Sequence, residues 1–505
     1  MLKELSIKPG VVKSNSEYAE PGRYIDAQWM RFAAKFAQKM GGWKATNADR
    51  ALAGVCRSIA PWRDNSQVSR AAFGTHTKLF VLAQGVVTDI TPLRGRNTGN
   101  LSAALTTTVS STTVSVAHTA HKQQVGDWVT LTASAAVGGL TITNNYKIAT
   151  VPTADSYTFV ASSAATSSAT GGGTIAYVYY RLLLGADPIS TVSGSAIVTI
   201  TDANSLCVEG DTVIVDGAAA VGGITLTGAY VIVSATTSGY SVNAGSSATS
   251  TATGGGSVVT IQNEIVSGLI STAAGQGWGA GTYGSGTYGT PRAASSSITL
   301  TLRIWKLEAY GEWLLANPRG GSLYVWDPAV GGRAITLYGA PAAMLSFFIT
   351  AARYIVALGT AGDSMQMAWP DQLDPNAWVA KTTNTANQSR KIIGGNFIVA
   401  GGQVRNQTSL IWTDTNVFLH QWRTDDLVFT TTGLASKCGL IGPNAFTMMG
   451  ESVYWVGDGH FWEWDGGLSE IPSDEINEWF FSRLDRSQTD KIIVGSIAPF
   501  NSLSI

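Results

Sequence analysis

The chain has 505 residues, enough for two or three domains at the usual ~100 to 200 residues each, and its 45% hydrophobic content can supply their cores. Charged residues make up 13%, about half the usual share of ~25%, and 56 glycines accompany long Ser, Thr and Ala stretches, which excludes a mainly helical protein and predicts an all-β one. With 33 basic against 34 acidic side chains the net charge is −1, so no general attraction to nucleic acid or membrane is encoded.

Residues 1–20 lack the apolar stretch of a secretory signal, so a soluble protein made in the cytoplasm is expected. Helical spacing appears at best over 28–38. The segment 77–92, TKLFVLAQGVVTDITP, reads as strand, turn and strand, and 1–104 is assigned to the N-terminal part of a β-propeller body. Cys56, Cys207 and Cys438 are odd in number and far apart, which reads as reduced core residues and not as a disulfide framework or metal site.

A tandem repeat follows. AVGGLTITNNY at 136–146 falls on AVGGITLTGAY at 220–230, and Gly126–Asp127 falls on Gly210–Asp211, all at an offset of 84. After one deletion the offset is 83, aligning Tyr157 with Tyr240 and the glycine triplet at 171–173 with that at 254–256. Within each copy apolar residues alternate with Thr or Ser (TVSV, WVTLT, LTIT), the period of a strand with one buried face. Two inserted small β-sandwich or barrel domains are predicted, 105–184 and 185–264.

Residues 265–297 are rich in Gly and aromatics. There Gly permits close backbone approach and Trp278, Tyr283 and Tyr288, with Arg292, offer rigid contact surface, so this is the candidate interface loop; a linker that carries aromatics is the plainer alternative.

From 298 to 505 short apolar strands rich in Trp are closed by Asp, Gly or Pro, as in GSLYVWDPAVGG (321–332), SLIWTDTNVFLHQW (409–422) and SVYWVGDGHFWEWDGG (452–467). Repeated short antiparallel sheets of this kind predict the remaining blades of an irregular propeller, with the two repeats inserted after an early blade. The apolar run at 342–358 is interrupted by Arg353 and reads as two strands around a turn, since a spanning helix needs ~20 apolar residues.

No GxSxG elbow, Walker loop or HExxH occurs, and no catalytic, cofactor or metal constellation is assigned. His118 and His121 have HxxH spacing, but the second repeat places Asp202 and Ser205 there, so both are read as turn residues on a sheet edge. His420 and His460 are read as structural. Asp327, Asp363, Asp371, Asp414, Asp458 and Asp465 could supply a carboxylate pair for glycoside hydrolysis, or cap backbone amides in turns, which is the commoner use. Trp305, Trp326, Trp412, Trp455, Trp462 and Trp464 could stack on sugars or fill the wedges between blades. Arg319, Arg353 and Arg390 are candidates to face a channel; which residues are lumen-facing is unknown from alternation alone.

Several stretches are similar to one family. EPGRYIDAQWMRFAAKFAQKMGGW (20–43) resembles the opening of the tail nozzle or tail stabilisation proteins of short-tailed bacteriophages, with Gly22, Trp29, Arg31, Phe32, Gly41, Gly42 and Trp43 matching. RIWKLEAYGEWLLANPRGGSLYVWDP (303–328), CGLIGPNA (438–445) and VGDGHFWEWDGG (456–467) resemble the family's body in order, and HKQQVGDWV (121–129) is similar to a β domain often inserted there. A further aromatic strand would be expected after SIAPFNSLSI.

The resemblance implies a virion protein of the tail, without enzymatic activity, assembled in the host cytoplasm as a ring, commonly a homohexamer. It implies as partners the adaptor or head-to-tail connector above, tail fibres or spikes outside, genomic DNA passing through without sequence-specific binding, and the host surface. Near-neutral charge suits such a conduit, because each basic phosphate contact adds binding that slows passage. The alternatives are a propeller-type glycan-binding protein or polysaccharide depolymerase, and a bacterial adhesin.

Overall fold

The computed structural model describes residues 8–13, 18, 22–33, 36–41, 51–203, 205–271, 302–372, 374–405, 407–424, 427–472, 474–497 and 502–505. The candidate interface loop with Trp278, Tyr283, Tyr288 and Arg292 lies outside them.

Five four-stranded antiparallel meanders form a propeller-like body: residues 56–89, 305–336, 346–391, 398–436 and 446–470, here blades 1 to 5. The first strand of each blade lies nearest the axis. Large side chains fill the wedges between neighbouring blades. Trp305 and Trp326 pack with Leu79 and Val81 between blades 1 and 2, and Trp378 with Phe347 between blades 2 and 3. Trp369 and Phe348 meet Phe418 and Phe429 between blades 3 and 4, and Trp412 meets Trp455 at 5.7 Å, tilted edge to face, between blades 4 and 5. Truncating such a buried ring costs about 3 to 5 kcal/mol. At Gly74 a Cβ would stand 2.6 Å from Trp305 Cδ1, so the indole seats on blade 1 only because that residue has no side chain.

The apolar run at 342–358 forms the hairpin of Ser346–Ile349 with Ile355–Leu358, and Arg353 takes φ 64° in its turn. Both strands are buried almost throughout, which explains why the run shows no alternation.

The insertion folds as two eight-stranded barrel-like sheets, residues 97–179 and 181–263. Their strand orders correspond one to one, from Asn97–Ser102 and Arg181–Leu183 at one end to Ala169–Gly171 and Ala252–Gly254 at the other. The repeat boundaries read from sequence, 105–184 and 185–264, thus compare with sheets at 97–179 and 181–263. In the VGG turns, Gly138 and Gly222 have φ 54° and 55°, and a Cβ at either would meet a Thr hydroxyl, Thr107 or Thr191, within 2.4 Å. This is why the turn is spelled identically twice.

The insertion's two ends lie side by side. Leu93 bridges Glu264, Arg94 N–H donates to Asn263 O at 2.8 Å, and Ile265 N–H donates to Pro92 O at 3.0 Å.

One local expectation is corrected. The stretch 28–38 is not helical: Met30–Ala33 and Phe36–Lys39 pair as an antiparallel hairpin. A helix occurs instead at Asp474–Arg483, where Phe480 and Phe481 pack on Phe461 of blade 5 at 5.5 Å. Beyond it Gly495–Ile497 pairs with Ser502–Ser504. No helix among the described residues is long and apolar enough to cross a membrane.

Candidate functional site: the propeller axis and the insertion junction

Inner strands from all five blades converge on an axial cavity of about 370 Å³, lined by Arg57, Ser58, Lys306, Ser346, Gly401 and Phe446 and floored by Asn444, Ile493 and Val494. Its charged groups are internally matched or half-exposed. Lys306 pairs with Glu308 at 3.4 Å, and Arg57 donates to Ile270 O at 2.6 Å. Arg319, a candidate channel residue, donates to the Leu345 and Val399 carbonyls, tying blade 2 to blades 3 and 4. Arg353 is exposed, with its guanidinium 5.0 Å from the Tyr310 ring, and Arg390 is exposed on the outermost strand of blade 3.

The six turn aspartates each cap a backbone amide or pair with a neighbouring cation. Asp327 accepts from Trp313 Nε1 at 3.1 Å and Ala329 N at 2.8 Å, Asp414 from Asn396 N at 2.8 Å, and Asp465 from Gly467 N at 3.1 Å. Asp363 accepts from Met365 N and pairs with Lys391, Asp371 accepts from Thr385 N and Oγ1, and Asp458 pairs with Arg486. Hydrogen bonds from Lys391 and Thr385 hold the Asp363 and Asp371 carboxyls below their ordinary range. A glycosidase acid needs the opposite shift, toward the protonated form. A carboxyl that burial does push up is Asp211, at the base of the second barrel, where it accepts from Val208 N and Ser267 N beside Arg94. Among the described residues no group of three or more His, Cys, Asp and Glu could hold a metal ion.

Two of the histidines are placed differently from the sequence reading, and two fit their structural reading. His118 and His121 do not sit on an open sheet edge. His118 Nδ1 meets Tyr179 Oη at 2.7 Å, Tyr179 Oη meets Tyr157 Oη at 3.1 Å, and His121 is buried against the Tyr157 ring at 5.1 Å. His420 is buried, stacked on Phe429 at 4.4 Å, and burial pulls it down to about 3. His460 pairs with Glu470 at 2.6 Å at the surface.

The strongest charge cluster in the described structure is one that sequence reasoning missed. Glu264, 1% exposed, receives Lys78 of blade 1 at 2.5 Å and Arg333 of blade 2 at 2.8 Å, while Asp89 stands 3.3 Å from Lys78 and 3.5 Å from Arg333. Next to it Arg94 pairs with Asp211, and Arg96 makes a two-pronged contact with Asp202. Arg181, where the first barrel hands over to the second, grips Asp127 through both Nε and Nη2. The first barrel also touches blade 2 directly: Asn145 Nδ2 donates to Thr336 O at 2.6 Å, and Lys147 Nζ to Val330 O at 3.1 Å. The buried, charge-assisted contacts at Glu264 set the angle of the insertion on the body, since removing one member strands an uncompensated charge at a cost of about 3 to 5 kcal/mol. The one sequence signal was indirect: in so charge-poor a chain, a Lys, Arg, Asp or Glu at a strand end is unusual enough to have a partner.

No family model matches the chain, and no curated protein matches it. Among solved structures, an auxiliary nutrient binding protein from Bacteroides ovatus ATCC 8483 aligns at 10% identity over 72% of this chain and 85% of that one, with a TM-score of 0.26. A Bacteroides fragilis NCTC 9343 protein aligns at 13% identity over 36% of this chain, which spans 57% of that protein, with a TM-score of 0.24. The phage phi92 endosialidase aligns at 14% identity over 80% of this chain and 51% of that one, with a TM-score of 0.15. Such loose superpositions add nothing to the architecture described above: a β-propeller-like body carrying two barrel-like modules.

Proposed function

We propose that the chain is a structural subunit of a short-tailed phage particle, a tail nozzle or tail-tube protein that assembles in a ring below the connector and passes the genome without gripping it. The observation that carries this reading is the junction at Glu264. Salt bridges and a side-chain amide hydrogen bond to a main-chain carbonyl join the barrels to blades 1 and 2 so that three modules form one brace. A part that works by shape needs its modules held at fixed angles. Support comes also from the resemblance at Gly22, Trp29, Arg31, Phe32, Gly41, Gly42 and Trp43, and from the near-neutral charge.

Electron microscopy of the purified protein, and of particles that carry it, with symmetry left free, tests the proposal. Hollow rings, six-fold at a tail end, are the expected result. A monomer absent from particles overturns it and favours the glycan-binding or depolymerase reading, for which polysaccharide cleavage that is lost in Asp458→Ala and Asp465→Ala would be the positive sign.

A further inference from the structure

The blades differ in how fully the faces of their strands are covered. The central blades 3 and 4 are buried on both faces, as in Ile355–Leu358 and Thr408–Thr413. Blade 1 is not. Its face toward blade 2 is closed, with Ala72, Leu79 and Val81 buried, whereas the opposite face carries a cross-strand row of Ile59, Phe73 and Phe80 with Leu82 alongside. Ile59 is 65% exposed there and the others are half-buried.

Beside the inner strand of blade 5 stands a hairpin, Gly495–Ile497 with Ser502–Ser504. Ile493, just ahead of it, bridges Asn444 in parallel beside the inner strand of blade 5 and lines the axial cavity opposite Ile59. The first strand of the hairpin therefore takes the place of an inner blade strand. Its sequence agrees: Ser-Ile-Ala-Pro at 496–499, followed by Phe500, repeats Ser-Ile-Ala-Pro at 58–61, followed by Trp62, in the inner strand of blade 1. The hairpin thus resembles the inner half of a further blade, and among the described residues its second strand pairs with no strand but the first.

A second two-stranded sheet supplies what is missing. Met30–Ala33 and Phe36–Lys39 form a hairpin whose large apolar groups are uncovered, with Trp29 69% and Phe36 71% exposed. The chain leaves this hairpin and, 16 residues on, enters the inner strand of blade 1 at Cys56. Outer strands elsewhere in the body lead in the same way to the inner strand of the next blade, across 6 to 9 residues after Ile335–Thr336, Asn387–Lys391 and Phe429–Ser436. By connectivity, then, the N-terminal hairpin is the outer half of whichever blade precedes blade 1.

We propose that the Met30–Lys39 hairpin of the same chain adds to the outer edge of Ser502–Ser504, completing a sixth blade and covering the Ile59, Phe73 and Phe80 face. The recognition is strand addition: main-chain hydrogen bonds to that edge fix the register, and Trp29 and Phe36 cover apolar surface. A propeller joined in this way cannot open without breaking a sheet.

Two measurements decide it. In a background with Cys56, Cys207 and Cys438 changed to Ala, Leu503→Cys is combined in turn with Met30→Cys, Arg31→Cys and Phe32→Cys and oxidised. The expected product is an intrachain disulfide in at least one pair, seen as a fast-migrating monomer and a linked tryptic peptide. A disulfide-linked dimer, which would mean that a second copy fills the slot, or no disulfide in any pair, overturns the proposal. Hydrogen exchange on the unmodified protein guards against misfolding of the variants. Amides at 30–33 and 503–504 are expected to be protected at least about 100-fold, whereas exchange at the free-peptide rate overturns the pairing.

Discussion

The two barrels share a strand order, a VGG turn and a Gly-Asp turn, yet they close their bases with opposite chemistry. In the first, His118, Tyr179 and Tyr157 form a neutral chain of rings and hydroxyls. In the second, the positions matching His118 and Tyr179 are Asp202 and Asn263, and Arg96 from the linker bonds to both. Scaffold is thus repeated where backbone geometry demands it, and the filling is free to diverge wherever polar groups find partners. The difference also locates the load: the ionic base sits at the linker beside the Glu264 junction, whereas the barrel with the aromatic base meets the propeller through its own contacts with blade 2.

Removing one charge from the ionic base should have the largest effect. Asp202→Ala leaves the Arg96 guanidinium buried and half-paired, and a loss of about 3 to 5 kcal/mol is expected in denaturant unfolding, against about 1 to 2 for His118→Ala, which breaks a neutral contact. Equal costs would mean that the two bases are energetically alike. The shared turn is the control for the comparison: Gly138→Ala and Gly222→Ala should each lose roughly 2 kcal/mol, the same within error, because both force a Cβ into a left-handed turn against a Thr hydroxyl.

Acid should separate the barrels next. Burial holds His118 and His121 below the ordinary histidine range, and His121 Nδ1 accepts from Gln123 N–H, a bond that protonation would break. The unfolded chain therefore binds these protons more readily than the folded one. Their contribution is complete above about pH 6.5 and is lost as pH falls below it. Amide protection over 105–179 should drop by roughly tenfold or more between pH 6.5 and 5 while that over 185–263, which contains no histidine, holds. Parallel loss in both barrels would show that the histidines are not responsible. The smallest effect is expected at the surface pairs Thr106 with Thr170 and Ser190 with Thr253, where Thr170→Ala and Thr253→Ala should each change stability by less than about 0.5 kcal/mol.

The repeat was legible in the sequence because glycine turns and alternating Val and Thr are local signals. The blades were legible for the same reason, their Trp-rich strands ending in turn residues. Asn97–Ser102 was not, since NTGNLS is polar and earns its place by lying under Tyr177, with Gly99 leaving room for that ring. The helix at Asp474–Arg483 was missed because one turn of aromatics, Trp479, Phe480 and Phe481, does not define a period. Nor was the junction visible: Lys78 and Glu264 meet across 186 residues, and charge pairing at that distance leaves no trace in spacing. For the Trp278 to Arg292 loop the interface reading stands as an expectation.

The side-by-side arrangement of Pro92 to Arg94 with Asn263 to Ile265 has an evolutionary reading. Because the excursion departs and returns through a single ladder, the host blade experiences a staple of constant width whatever lies beyond it. The entropic cost of closing so long a loop grows only as the logarithm of its length, so doubling it adds roughly 0.6 kcal/mol. A barrel copied in tandem at this point therefore lengthens the arm almost without disturbing the body, which leaves the number of barrels open to variation between related chains.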